Sequence, residues 1–219
     1  MPLISSGTGR TEHRMPPHRQ CFNVGCKATN RKCRILEHQL ERLKNEVFSA
    51  DPKVGQWAAD SIGRDAGMEG LDYLITLLDL DDTVVRDRAA LALESTKNNK
   101  ALIPLLKAIF KKENYNRNGT MVFALSSLDC SKNLIEIFKI LLYETYESKI
   151  AAYSILLDQN FEIAENDLEQ IVSMSEHYKA ISGEFPALDK EHSQAMIENV
   201  INLFVERASN GTLKNKSKP

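Results

Sequence analysis

The chain reads Asp51-Pro52-Lys53-Val54-Gly55-Gln56-Trp57-Ala58-Ala59-Asp60-Ser61-Ile62-Gly63. Thirty-one residues later it reads Asp82-Thr83-Val84-Val85-Arg86-Asp87-Arg88-Ala89-Ala90-Leu91-Ala92-Leu93. Both segments open on Asp, whose side-chain oxygen suits a helix N-cap, and Pro52 occupies a first-turn position where a missing N–H costs nothing. Each then carries a pair of alanines followed by Ile62 or Leu93. Weaker copies start at Asn114, with Met121, Val122, Ala124 and Leu125 in the matching places, and at Glu144, with Ala151, Ala152 and Ile155. The offsets between starts are 31, 32 and 30 residues. A constant period of this size marks stacked supersecondary units, each too small to bury its own apolar face.

The intervening segments repeat too. Leu71, Leu74, Ile75 and Leu78 align with Leu102, Leu105, Leu106 and Ile109, and then with Leu134, Ile137, Phe138 and Leu141. Upstream, Leu36, Leu40, Leu43 and Val47 recur at the spacing of one helix face. Each unit is therefore a helix pair with a Leu/Ile-rich first member and a second member carrying small residues, which let helices approach closely. Beyond Asp158 the period fails. Asn166 to Ile181 reads as a helix broken by Gly183 and Pro186. Asp189 reads as the cap of a last helix with a stripe of Ile197, Val200, Ile201, Phe204 and Val205, stopped by Asn210-Gly211.

With these residues in place, the chain from about Ile35 to Leu157 resembles the HEAT-repeat family of α-solenoids. The match is closest at Asp82–Leu93, and Ala101-Leu102-Ile103-Pro104-Leu105-Leu106 is similar to the family's proline-bearing first helix. The resemblance implies an all-α fold: a right-handed α-solenoid of stacked antiparallel helix pairs, about four to five repeats long, spanning residues 35–209. It also implies an Asp–Arg pairing between neighbouring units, for which only Asp82 and Arg86 supply both residue types here. Family membership of this kind speaks for a binding scaffold rather than for a chemistry.

The 219 residues include 42% hydrophobic and 26% charged residues, with a mean hydropathy of −0.33. No apolar run reaches the length of a membrane span, so no membrane association is expected. The net charge of −2 hides an asymmetry. Residues 1–34 hold Arg10, Arg14, Arg19, Lys27, Arg31, Lys32 and Arg34 against Glu12 alone, which is +6 and leaves −8 for the remainder. With three prolines and few large apolar residues, this stretch reads as a flexible basic arm or a non-native extension. It has no apolar secretory core, and a cytoplasmic location is expected. His18, Cys21, Cys26 and Cys33 lie within or beside it. They have the residue types for zinc but no paired knuckle, so unpaired thiols are the favoured reading, and no metal or other cofactor is expected. Residues 210–219 read as a frayed basic tail.

No catalytic constellation is present: no HExxH, no phosphate-cradling glycine loop, no nucleophile elbow. Asp79, Asp81 and Asp82 cluster at a helix junction and read as capping and solvated acids. The informative feature is a surface stripe. With each second helix numbered from its cap, positions 4, 8, 11 and 12 share one side and are read as the core, while positions 3 and 10 point away and 7 lies at the margin. Those outer positions carry Trp57 and Asp60, then Val84, Arg88 and Leu91, then Phe123, then Tyr146, Ile150 and Tyr153. In the family resemblance this face lines the concave side.

Aromatic and arginine side chains on a surface are typical interface anchors. The sequence thus points to a non-catalytic protein-binding module, monomeric when free, that grips one protein partner through an aromatic and acidic concave groove made by Trp57, Asp60, Val84, Arg88, Leu91, Phe123, Tyr146 and Tyr153. The acidic body suits a basic toxin or enzyme as partner, which would make the chain a cognate inhibitor of the toxin–immunity type. The alternative is nucleic-acid binding, similar to HEAT-like DNA glycosylases. That needs a basic groove, for which Lys53, Arg64, Arg88 and Lys149 are the candidates, and it is disfavoured against Asp60 and Asp87. An enzyme resembling HEAT-like chromophore lyases ranks last.

Overall fold

The computed structural model describes residues 37–164, 166–181 and 187–209. The basic arm with its candidate zinc ligands, and the tail 210–219, lie outside the described residues. Among those described there are ten α-helices and no strand: α1 (Glu37–Glu46), α2 (Pro52–Asp65), α3 (Gly67–Leu77), α4 (Thr83–Thr96), α5 (Leu102–Ile109), α6 (Gly119–Ala124), α7 (Leu134–Tyr143), α8 (Tyr146–Asp158), α9 (Asp167–Ile181) and α10 (Ala187–Ser209). They pair as α1/α2, α3/α4, α5/α6, α7/α8 and α9/α10. The second members pack in a continuous row, α2 on α4 on α6 on α8 on α10. This is an α-solenoid of helix pairs.

The two strongest copies of the repeat start as their sequence dictates. Asp51 Oδ1 accepts the Lys53 N–H at 2.9 Å. Asp82 Oδ1 accepts the N–H groups of Val84 at 2.9 Å and Val85 at 3.2 Å. Helix α4 ends on Lys97 in the left-handed region at φ 51°, which lets its N–H turn back to the Glu94 carbonyl. The alanine pairs Ala58-Ala59 and Ala89-Ala90 are fully buried, as are Met121 and Val122 in the matching places of α6. Leu71, Leu74, Leu105, Ile109, Ile137 and Phe138 of the first helices close the core from the other layer.

Several details depart from the sequence reading. Asn114 is not an N-cap: its amide donates to the Ala108 carbonyl at 2.8 Å and so closes the end of α5. Helix α6 begins five residues later, at Gly119, and is only six residues long. Glu144 is not the N-cap of α8 either, but the C-cap of α7. Thr145 holds the N-cap place, and the Glu144 carboxylate accepts from Asn118 Nδ2 at 2.7 Å. Asp189 lies inside α10, which starts at Ala187.

The inner stripe of the second helices also shifts by one position. Position 4 is buried only as Val85, whereas Val54, Arg117 and Glu147 are exposed. Position 5 is buried in all four copies, as Gly55, Arg86, Asn118 and Ser148. Positions 5, 8, 9 and 12 are the i, i+3, i+4, i+7 set expected of one helix face. The Asp–Arg pairing implied by the family resemblance is absent. Arg86 Nη1 donates to the Leu80 carbonyl at 2.8 Å, and Asp82 is occupied with its own helix.

Candidate functional site

The exposed side of the second-helix row is where the sequence places a binding face. Trp57 and Phe123, each 51% exposed, stand on α2 and α6. Val84 at 56% extends this apolar series on α4, and Tyr146 at 44% and Ile150 at 46% extend it on α8. Single exposed apolar residues are ordinary, but a series on consecutive packed helices is a recurrent mark of an interaction surface. Helix periodicity explains its existence. The opposite side of each of these helices is buried in the row, so these large side chains are turned outward.

The other expected residues divide. Leu91 and Tyr153 are half-buried, and Tyr153 packs against the core. Asp60 is half-buried and accepts from Gln56 Nε2 at 2.8 Å. Arg88 departs from the expectation outright. It is buried, and its Nη1 donates to the Val47 carbonyl at 2.6 Å and the Ser49 carbonyl at 3.0 Å. It closes the C-terminal end of α1 from the second helix of the next unit, and is not presented to solvent. The room for this comes from Gly55, whose missing Cβ leaves the space the guanidinium fills.

Charge on the face is sparse and leans acidic. Asp87, between α4 and α6, is half-buried, and burial holds its carboxyl above the ordinary range against the opposing pull of the Thr120 hydroxyl and Arg86. Of the four basic candidates for a phosphate-binding groove, Arg88 and Lys149 are buried and Lys53 and Arg64 are exposed. Of the acids at the α3–α4 junction, Asp82 caps α4 and Asp79 pairs with the Lys111 ammonium. Among the described residues no group of three or more His, Cys, Asp or Glu side chains is placed to hold a metal ion. No described helix is long and apolar enough to cross a membrane.

The sequence reading missed a second feature, a cavity where α7 hands over to α8, walled by tyrosines. Its signal was present in composition: five of the six tyrosines fall between residues 115 and 178.

Helix pairs stacked through a row of small-residue second helices define the class, an α-solenoid. The sequence model of HEAT repeats matches residues 37–126, the span of α1 to α6. No curated protein matches the sequence. Arrays of this family commonly serve as protein-interaction scaffolds.

Proposed function

We propose that this protein is a non-catalytic binding module that docks one protein partner on the exposed side of its second-helix row. The observation that carries the reading is the run of half-exposed large side chains, Trp57, Val84, Phe123, Tyr146 and Ile150, on four successive second helices. Trp and Tyr head the list of residues that dominate binding energy when desolvated by a partner. Beyond the arm, a charge of −8 favours a basic partner by raising the encounter rate, and occlusion of a basic enzyme or toxin by its cognate inhibitor is the most specific form of this proposal. With two of its four basic candidates buried, the face offers little to a phosphate backbone.

The test is a comparison of Trp57→Ala and Phe123→Ala with the parent. A partner that co-purifies with the tagged chain is identified by mass spectrometry, and its affinity is then measured for each variant. Loss of about 2–4 kcal/mol of binding with an unchanged unfolding midpoint is the expected result. Parental affinity in both variants sinks the proposal. Binding that is weakened tenfold or more between 50 and 200 mM salt, together with nucleic acid in the eluate, points to the nucleic-acid alternative instead.

A further inference from the structure

The junction between α7 and α8 holds a cavity of about 250 Å³, walled by Tyr115, Tyr143, Tyr146 and Tyr178. Lys149 and Ser193 also line it. Lys149 is only 8% exposed, yet among the described residues its ammonium makes no ion pair. Its partners are neutral: the Tyr178 hydroxyl at 3.1 Å, Ser193 Oγ at 3.5 Å, and the face of the Tyr178 ring at 5.0 Å. An ammonium carries three N–H donors, and two are used here. Removing a cation from water is costly, and the carboxylate nearest this one, Glu144, is itself half-buried and hydrogen-bonded to Asn118.

A second feature has the same sign. The first turn of α8 lines the same cavity through Thr145 and Tyr146. Thr145 caps none of the backbone N–H groups; its hydroxyl pairs with that of Ser148 at 3.1 Å. The α8 N-terminus thus keeps its partial positive charge and its first-turn donors uncapped, the arrangement that attracts oxyanions. The opposing group is Glu144, which also borders the cavity. Its Oε2 is taken by Asn118 Nδ2 at 2.7 Å, and burial pushes its pKa up against the pull of Asn118 and Lys149.

We propose that this cavity is a binding site for a small oxyanion, a carboxylate or phosphate monoester, carried on a flat apolar body that lies among the tyrosine rings. Lys149 is its counter-ion, and the first turn of α8 supplies backbone donors. The site does not depend on the docking face, although Tyr146 stands at the edge of both. A free small molecule and the terminal carboxylate of a peptide share this chemistry.

Phenyl phosphate, benzoate and N-acetylphenylalanine are titrated into the full chain at constant ionic strength, with neutral benzamide as control. Calorimetry and the amide resonances of residues 146–149 are followed. Saturable binding of at least one anion with shifts at those amides is expected, together with weaker or no binding of benzamide. Lys149→Met should weaken it about ten- to hundredfold, the worth of a charged hydrogen bond. Tighter binding of N-acetylphenylalanine assigns the site to a peptide terminus, and tighter binding of phenyl phosphate to a free monoester. Absence of saturation at millimolar concentration, equal binding of benzamide, or parental affinity in Lys149→Met overturns the proposal. If Lys149→Met does not fold, Tyr115→Ala removes a half-exposed wall instead, and unchanged affinity there overturns it equally.

Discussion

Gly55→Ala is the substitution on which the account of Arg88 stands or falls. In an exposed helix interior this change stabilises by about 0.8–1 kcal/mol, because alanine is the better helix former. At this position the added methyl would lie 2.2 Å from Arg88 Nη1 and 2.3 Å from Cζ. Ordinary contact needs more than an ångström beyond that, so the guanidinium must withdraw. Both of its bonds, to the Val47 and Ser49 carbonyls, are lost with it. Hydrogen bonds from a charged donor contribute about 1.5–3 kcal/mol each. The net expectation is a destabilisation of about 2–5 kcal/mol, or roughly 5–15 °C in Tm for a chain of this size.

The decisive form is a double-mutant cycle. Arg88→Met removes the cation and costs about 2–4 kcal/mol through the unpaired carbonyls, but leaves a flexible side chain that can clear a methyl. In that background Gly55→Ala should stabilise by about 1 kcal/mol. The sign of one substitution thus reverses with the identity of residue 88, read by urea unfolding of the four proteins. A Gly55→Ala variant that melts above the parent with Arg88 present refutes the reasoning, because the guanidinium would then not sit over the α2 backbone.

Other expectations follow from burial and charge. Ala89→Leu should cost about 1–3 kcal/mol by overpacking between α4 and its neighbours, and Ala151→Leu, at a half-buried position, should cost less; urea midpoints check both. The Cys130 thiol is buried and its pKa is pushed up to about 12, chiefly by burial. Peptide mapping after iodoacetamide at pH 8 should find it unmodified in the folded protein and modified in urea. Burial holds the Asp87 carboxyl up, so the folded state binds its proton more readily than the unfolded chain. That contribution is complete below the unfolded pKa and is lost as pH rises through the folded one, so Asp87→Asn should raise Tm at pH 7 and make little difference near about pH 3.

The helical array was legible because its strongest signals are local. Asp51 and Asp82 cap the helices they precede, and the alanine pairs that follow are buried. Trp57, Val84 and Phe123 were legible as exposed residues because a helix face can be counted. Arg88 was not legible as a buried residue. What makes its burial tolerable is two backbone carbonyls 39 and 41 residues away, and these meet it only once α1 is stacked on the next unit. The same holds for Asn118. Its amide donates to Ile109 and Glu144 and accepts from Ser148 at 2.7 Å, so a polar position 5 is buried by partners from flanking units. Periodicity detects apolar burial and is silent on polar burial that depends on tertiary acceptors.

The place where the repeat breaks is also where the cavity forms, and one cause accounts for both. In α2 and α4 the cap is an aspartate that spends its side chain on its own helix. In the third copy Asn114 spends its amide backwards on α5, and Asn118 spends its own forwards on α8 and Glu144. With neither free to start a helix early, residues 115–118 form a turn, and Asn116 takes φ 64°, a left-handed conformation that asparagine tolerates better than most residues. Tyr115 and Asn116 are thereby released from the helix face they would have occupied and border the first turn of α8. There Thr145 stands in the cap position without filling it. A regular third unit would have placed a helical turn across this space. Favouring helix through residues 115–118, by Asn116→Ala, which disfavours the left-handed backbone at that residue, should therefore lengthen α6 and weaken binding of the oxyanion probes while leaving Trp57 and Phe123 exposed. A lengthened α6 with unchanged probe binding would separate the cavity from the broken repeat.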